Sequence, residues 1–157
     1  MLVVAIVGER NSGKTKLIEE ICKRMNGKIG VIKHIHHPGV SFDIEGTDTW
    51  RAKMAGAHVV IGLAPDKTLI HMDGNLGLDE AIELMKSLGM ELLLLEGFRG
   101  MLKKKAFTIL TIKSPEELRG ERPNAVYFEG FEKDILYGVP VLRSPEEVIQ
   151  KIASLMG

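Results

Sequence analysis

Cysteine is nearly missing from this 157-residue sequence. Cys22 stands alone, so no disulfide can close within the chain, and a reducing, cytoplasmic setting is expected. Aromatic residues are scarce as well. At 5% they are too few to form a stacking platform for single-stranded nucleic acid. Neither sign of charge is in excess. The 21 Lys and Arg balance 21 Asp and Glu, which argues against general binding to nucleic acid or an acidic membrane. Long apolar runs are absent too. The first one is too short for a signal-peptide core and lacks a basic flank. No stretch approaches the roughly 20 residues that a membrane-spanning helix needs. What remains has ordinary globular composition, and its length suits a single domain over residues 1–157.

Against these absences stands Gly8-Glu9-Arg10-Asn11-Ser12-Gly13-Lys14-Thr15, which reads G-x-x-x-x-G-K-T, the phosphate-binding loop pattern. Its context supports the reading. The residues before it, 2–7, form a short β-branched run that predicts a buried parallel strand. After it, Leu17, Ile18, Ile21, Cys22 and Met25 make one apolar stripe at helical spacing. Cys22 is therefore expected in the core. The glycines permit close backbone approach, and successive N–H groups at the helix start face an anion. Lys14 is expected to reach the outer phosphates and Thr15 to place its hydroxyl on Mg²⁺.

Further along, strands alternate with helices. Residues 28–34 predict a second strand, and Asp48 is the expected N-cap of a helix ending at Gly56. Residues 59–63 and 68–72 flank turn chemistry at Ala64-Pro65-Asp66-Lys67 and read as an antiparallel hairpin. A helix over 79–88, strands at 92–95, 107–112, 125–128 and 139–142, and a closing helix come next. Ser114-Pro115-Glu116-Glu117 and Ser144-Pro145-Glu146-Glu147 both read as capped helix starts. The pattern predicts an α/β three-layer sandwich of the phosphate-loop type, with a mainly parallel sheet and one hairpin.

Several polar residues join the loop as candidates. Glu96 follows an apolar strand directly, where phosphate-loop proteins place an acid toward Mg²⁺. Asp43, in a loop, competes as a catalytic or metal-facing group. His34, His36 and His37 suggest ligands, but zinc wants more donors at suitable spacing, so a phosphate or substrate role is preferred. Trp50 and Met54, four apart, read as packing. Lys103, Lys104 and Lys105 form a basic run beyond the Glu96 strand end, where ligands gather in such sheets.

Taken with residues 31–37, 46–51 and 55–57 and with Leu95-Glu96-Gly97-Phe98-Arg99, the loop makes the chain resemble the MobB family of molybdopterin-guanine dinucleotide biosynthesis adaptors. The resemblance implies a homodimer that binds GTP and Mg²⁺, hydrolyses GTP weakly at most, and assists the guanylyltransferase joining GMP to molybdopterin. It implies phosphate binding at Gly8–Thr15, an acidic role for Glu96, and signature polar positions at Lys33, His34, His36, His37, Asp43 and Asp48, with Arg99 where many members carry Lys. Lys14, Asp43 and Glu96 are the expected catalytic set. The guanine-reading N-K-x-D motif is absent, and a strand ending in Phe128-Glu129 stands where a different ending is expected. A small-molecule kinase and a metallochaperone GTPase are the rival readings.

Overall fold

The run before the phosphate loop forms β1 (Leu2–Gly8) of the computed structural model, which describes residues 1–40, 43–102 and 105–157. Next come α1 (Lys14–Arg24), β2 (Ile29–Lys33), α2 (Asp48–Met54), β3 (Val59–Leu63), β4 (Thr68–Met72), α3 (Leu78–Ser87), β5 (Leu92–Glu96) and β6 (Phe107–Thr111). A 3₁₀ turn (Pro115–Leu118) then leads to β7 (Ala125–Tyr127), β8 (Ile135–Leu136), β9 (Val139–Leu142) and α4 (Pro145–Met156). These elements form two compact units. One comprises Met1–His34 with Asp79–Gly157, the other Ile35–Leu78.

The larger unit is built on a seven-stranded sheet of order β2-β5-β1-β6-β7-β9-β8. Every neighbouring pair runs parallel except β8 with β9. β1 lies between β5 and β6, in registers that pair Ile6 with Glu96 and Gly8 with Thr111. All five residues of β5 are buried, as a strand covered on both faces requires. On one face Val4, Ile6, Leu92, Leu94 and Ile109 meet Leu17, Ile18 and Ile21 of α1 and Val148 and Ile152 of α4. Each such side chain contributes about 1.5–3 kcal/mol of transfer free energy. The connection from β2 to β5 returns along the sheet, so a right-handed crossover places α3 on the opposite face. Gly30 makes room there, since a Cβ on it would come within 3.0 Å of Met85 Sδ. The expected α/β architecture, mainly parallel with the β3–β4 antiparallel hairpin, is what the chain adopts, and β8 with β9 adds a second hairpin not anticipated from the sequence.

The smaller unit packs α2 beside the antiparallel ribbon of β3 and β4, which pairs Val59 with Met72 and Leu63 with Thr68. Val59, Ile61, Leu63, Ile70 and Met72 are all 45–79% exposed. Lys53 is the buried residue of α2. Its Nζ donates to Ala57 O at 2.9 Å and meets Asp73 Oδ1 at 2.5 Å.

Four local expectations are corrected. Cys22 is exposed, because the sheet covers the Leu17, Ile18 and Ile21 side of α1. The cap of α2 is Thr47, whose Oγ1 accepts from Trp50 N at 3.3 Å, one residue before Asp48. Met54 is exposed, so the Trp50–Met54 pairing gives way to burial of Lys53. Ser114 makes no side-chain cap bond and starts only a four-residue 3₁₀ turn, whereas Ser144 caps α4. Among the described residues no helix is long and apolar enough to cross a membrane.

Candidate phosphate-binding site

The loop between β1 and α1 is held in its shape by close packing and hydroxyls. Gly8 has φ +148°, and a Cβ on it would collide with the hydroxyl and carbonyl oxygens of Thr111 and lie 2.8 Å from Ser12 Oγ. Only glycine fits. Thr111 is fully buried and Ser12 nearly so. Thr111 Oγ1 donates to Val7 O at 3.0 Å, which uses its one proton, so Ser12 is the donor in the 2.5 Å contact between the two hydroxyls. Asn11 (φ 60°) and Gly13 (φ 90°) are left-handed, the alternation that turns successive backbone N–H groups inward around an anion.

The start of α1 faces the same way. Its N-cap is Gly13, with no side-chain cap bond and no acid in the first turn. The free N–H groups there are the orphan donors of any helix start. An open concavity of about 400 Å³ lies before them, lined by the loop together with Lys14, Lys16, Lys33 and Glu96. Lys14 Nζ folds back onto Gly8 O (3.1 Å) and Glu9 O (2.6 Å). Desolvation lowers its pKa first of all. Glu96 and Glu9 oppose that shift, while Lys33 and Arg99 add to it. A polyanion would relieve this crowding of positive charge.

Glu96 is 8% exposed, and a buried carboxylate needs partners. Its Oε1 accepts from Thr15 Oγ1 at 2.9 Å and meets Lys33 Nζ at 3.2 Å. The pairing of β5 with both β1 and β2 brings these three residues together. A hydroxyl and a carboxylate in contact are hard oxygen donors of the kind Mg²⁺ takes alongside phosphate oxygens and water, so the residues present fit that ion. Among the described residues no group of three or more His, Cys, Asp or Glu side chains is arranged to hold a metal by itself.

Beyond Glu96 the backbone takes positive φ at Gly97 (89°) and at the buried Phe98 (59°). The Phe98 ring stacks on His34, with centroids 4.8 Å apart, and His34 N donates to Glu96 O. The turn aims Arg99 at the loop, where its guanidinium joins Glu9 Oε1 and donates to Glu121 Oε1 at 2.8 Å. Those bonds, Glu121's first, hold the Arg99 pKa above its ordinary value.

The larger unit therefore gathers residues 8–15, Lys33, His34, Glu96 and Arg99. The other expected site residues belong to the smaller unit. His36 and His37 are exposed there, and Asp48 is exposed beside Arg51. Asp43 Oδ1 accepts from Ile44 N at 2.8 Å and Thr47 Oγ1 at 3.2 Å. Desolvation raises its pKa, but hydrogen bonds with Thr49, Ile44 and Thr47 and the charge of His71 outweigh it, and the pKa falls below the ordinary value. Lys103 and Lys104 lie outside the described residues, and Lys105 pairs with Asp79.

Three polar features were not anticipated from the sequence: the Thr111 hydroxyl, the Glu121 clamp on Arg99, and a second concavity of about 340 Å³ on the other side of residues 11–13. Each brings together residues far apart along the chain, and no local motif announces it.

The chain matches the family model described as molybdopterin guanine dinucleotide synthesis protein B over residues 3–126. It is 36% identical over 104 residues to a Methanocaldococcus jannaschii relative, covering 66% of this chain and 44% of that protein. Over 103 residues it is 35% identical to the molybdopterin-guanine dinucleotide biosynthesis adapter protein of Haemophilus influenzae, covering 62% of this chain and 57% of that protein. The matches thus span about half the length of these curated relatives. The crystal structure of Bacillus subtilis MobB aligns with 99% of this chain and 98% of its own, at 26% identity and a TM-score of 0.79. The phosphate loop, Glu96 and Arg99 all fall within the stretch that the family model covers, and the chain belongs to the MobB family.

Proposed function

We propose that this protein is an adapter in the synthesis of molybdopterin-guanine dinucleotide. It binds GTP with Mg²⁺ at the phosphate loop and assists the guanylyltransferase that joins GMP to molybdopterin. The observation that carries the reading is the Thr15–Glu96 contact at the foot of an uncapped, lysine-bearing helix start. The loop N–H groups take the phosphates, and Lys14 leaves the Gly8 and Glu9 carbonyls to reach the outer ones. Thr15 and Glu96 would hold Mg²⁺, which neutralises phosphate charge when bound. Weak hydrolysis draws on Lys14 and Glu96. Lys33, His34 and Arg99 of the larger unit are assigned to phosphorylated ligand, which includes molybdopterin; His36, His37, Asp43 and Asp48 are the polar candidates of the smaller unit. A cytoplasmic location suits these ligands.

The test is a reconstituted reaction with the guanylyltransferase, molybdopterin, GTP and Mg²⁺. The wild-type chain raises the yield of dinucleotide cofactor and Lys14→Ala does not. Absence of stimulation by a wild-type chain that still binds nucleotide returns weight to a kinase or metallochaperone.

We also assign a homodimer to the bare face of the ribbon. Five exposed apolar side chains on two paired strands form a patch that a lone chain leaves in water. Light scattering at micromolar concentration reports a dimer, and Ile61→Lys a monomer. A monomeric wild type rules the assignment out.

A further inference from the structure

The second concavity shares Asn11, Ser12, Gly13 and Lys16 with the first. A ligand with its phosphates in one continues into the other across a single turn of chain. Its volume, about 340 Å³, is at the small end for ligand sites. Leu17, Ile112, Phe128 and Pro145 give it apolar walls. The Phe128 ring is fixed by stacking on Phe131, with centroids 4.9 Å apart and planes 13° from parallel. These walls suit a flat heterocycle.

Two charges stand at the rim. β6 and β7 are parallel neighbours and pair Thr111 with Tyr127. Lys113 and Glu129 each lie two residues further on, so the sheet register delivers them side by side to the same opening. The other carboxylate of the concavity, Glu20, is engaged by Lys23 at 3.6 Å and Arg24 at 3.8 Å. Among the described residues no ion pair holds Lys113 Nζ or Glu129. Burial first, then the charges of Glu129 and Glu146 and a side-chain hydrogen bond with Glu129, push the Tyr127 hydroxyl up to about 12 and keep it a donor.

We propose that this concavity is the base site for the nucleotide and that Glu129 and Lys113 select guanine. The proposal rests on the nucleotide-binding reading above and goes beyond the family match, which ends at residue 126. Guanine presents two adjacent donors, N1–H and the N2 amino group, with acceptors O6 and N7 on the far side. A carboxylate accepts from both donors, and an ammonium donates to O6. Adenine reverses the pattern. Its N1 lone pair would face the Glu129 carboxylate and its N6 amino group the Lys113 cation. Selection thus needs no N-K-x-D motif.

The test is calorimetry with Mg²⁺ and five probes: GTP, ATP, inosine triphosphate, xanthosine triphosphate and inorganic tripolyphosphate. The wild type binds GTP at least about tenfold more tightly than ATP, with inosine triphosphate, which lacks the N2 donor, in between. Glu129→Gln weakens GTP about tenfold to a hundredfold, as expected for hydrogen bonds to a charged group. It leaves tripolyphosphate unchanged and strengthens xanthosine triphosphate, whose O2 can accept from the glutamine amide. That gain is something a misfolded variant cannot show. Wild-type binding of GTP, ATP and tripolyphosphate alike, with Glu129→Gln inert, overturns the base site and leaves the phosphate site standing. Failure of the wild type to bind any triphosphate overturns both.

Discussion

Helices α1 and α4 pack against each other over the same face of the main sheet, yet their first turns obey opposite rules. α4 opens on Ser144, whose Oγ accepts from Glu147 N at 3.3 Å. Pro145 takes the first helical position, then come Glu146 and Glu147, and Glu147 reaches back to Arg143 N at 3.0 Å. α1 opens on a left-handed glycine, with no side-chain acceptor, no acid and a lysine at positions 14 and 16. Acceptors and acids belong at the positive end of a helix, and lysines there cost stability. Both helices bury their apolar faces, so the larger unit tolerates the poor start of α1. On the proposed reading, an anion from outside the chain completes α1. A local rule broken in one helix and kept in its neighbour is how a functional site announces itself.

Four substitutions probe that contrast. The largest effect belongs to Lys14→Ala, which should weaken triphosphate binding by about 1.5–3 kcal/mol, as for other lost contacts to a charged group. Thermal unfolding of the free protein should hardly change, because Lys14 touches only the carbonyls of its own loop. Unchanged affinity in a folded variant, read by calorimetry, removes Lys14 from the phosphate site.

On the α4 side the effect is on stability. Ser144→Ala should cost about 1 kcal/mol in denaturant unfolding, the usual worth of a cap. Ser114→Ala, at an identical tetrapeptide without the cap bond, should stay within about 0.5 kcal/mol. Equal losses at the two serines would mean that the cap bond is not what separates them.

The smallest change carries the sharpest sign. Lys16→Glu puts the α4 rule into α1, and should stabilise the free protein by about 0.3–1 kcal/mol while weakening triphosphate binding. If stability and affinity move in the same direction, α1 is not kept short of a cap for the sake of a ligand.

How far the sequence spoke depended on distance along the chain. The phosphate loop, its strand and its helix were legible because the strand, motif and helix stripe are contiguous. So was Glu96, because Gly89 before the apolar run at 92–95 and Gly97 after it favour a buried strand over a helix. Cys22 misled because a stripe containing i and i+1 positions does not say which edge the sheet will cover. Asp48 and Thr47 are both competent caps in adjacent positions, and only the backbone bend chose between them. The tetrapeptides at 114 and 144 diverge because of their downstream neighbours. Gly120 comes soon after one, while Val148, Ile149 and Ile152 carry the other onward. Lys53 was hidden because burial of an ammonium depends on a carbonyl and a carboxylate contributed by later residues. Lys113 and Glu129 lie in separate loops, and only the β6–β7 register sets them together.

The hydroxyl relay under the phosphate loop bears on how an anion is met. Thr111 gives its proton to Val7 and Ser12 gives its own to Thr111, so neither rotor waits for a ligand to orient it. Ordering a group at the moment of association subtracts from affinity, and these two are ordered beforehand. Their torsional entropy was surrendered when the chain folded. Under the proposed function, an anion would therefore meet a floor already set, and of the groups named in the loop it is chiefly the long Lys14 side chain that would still have to move.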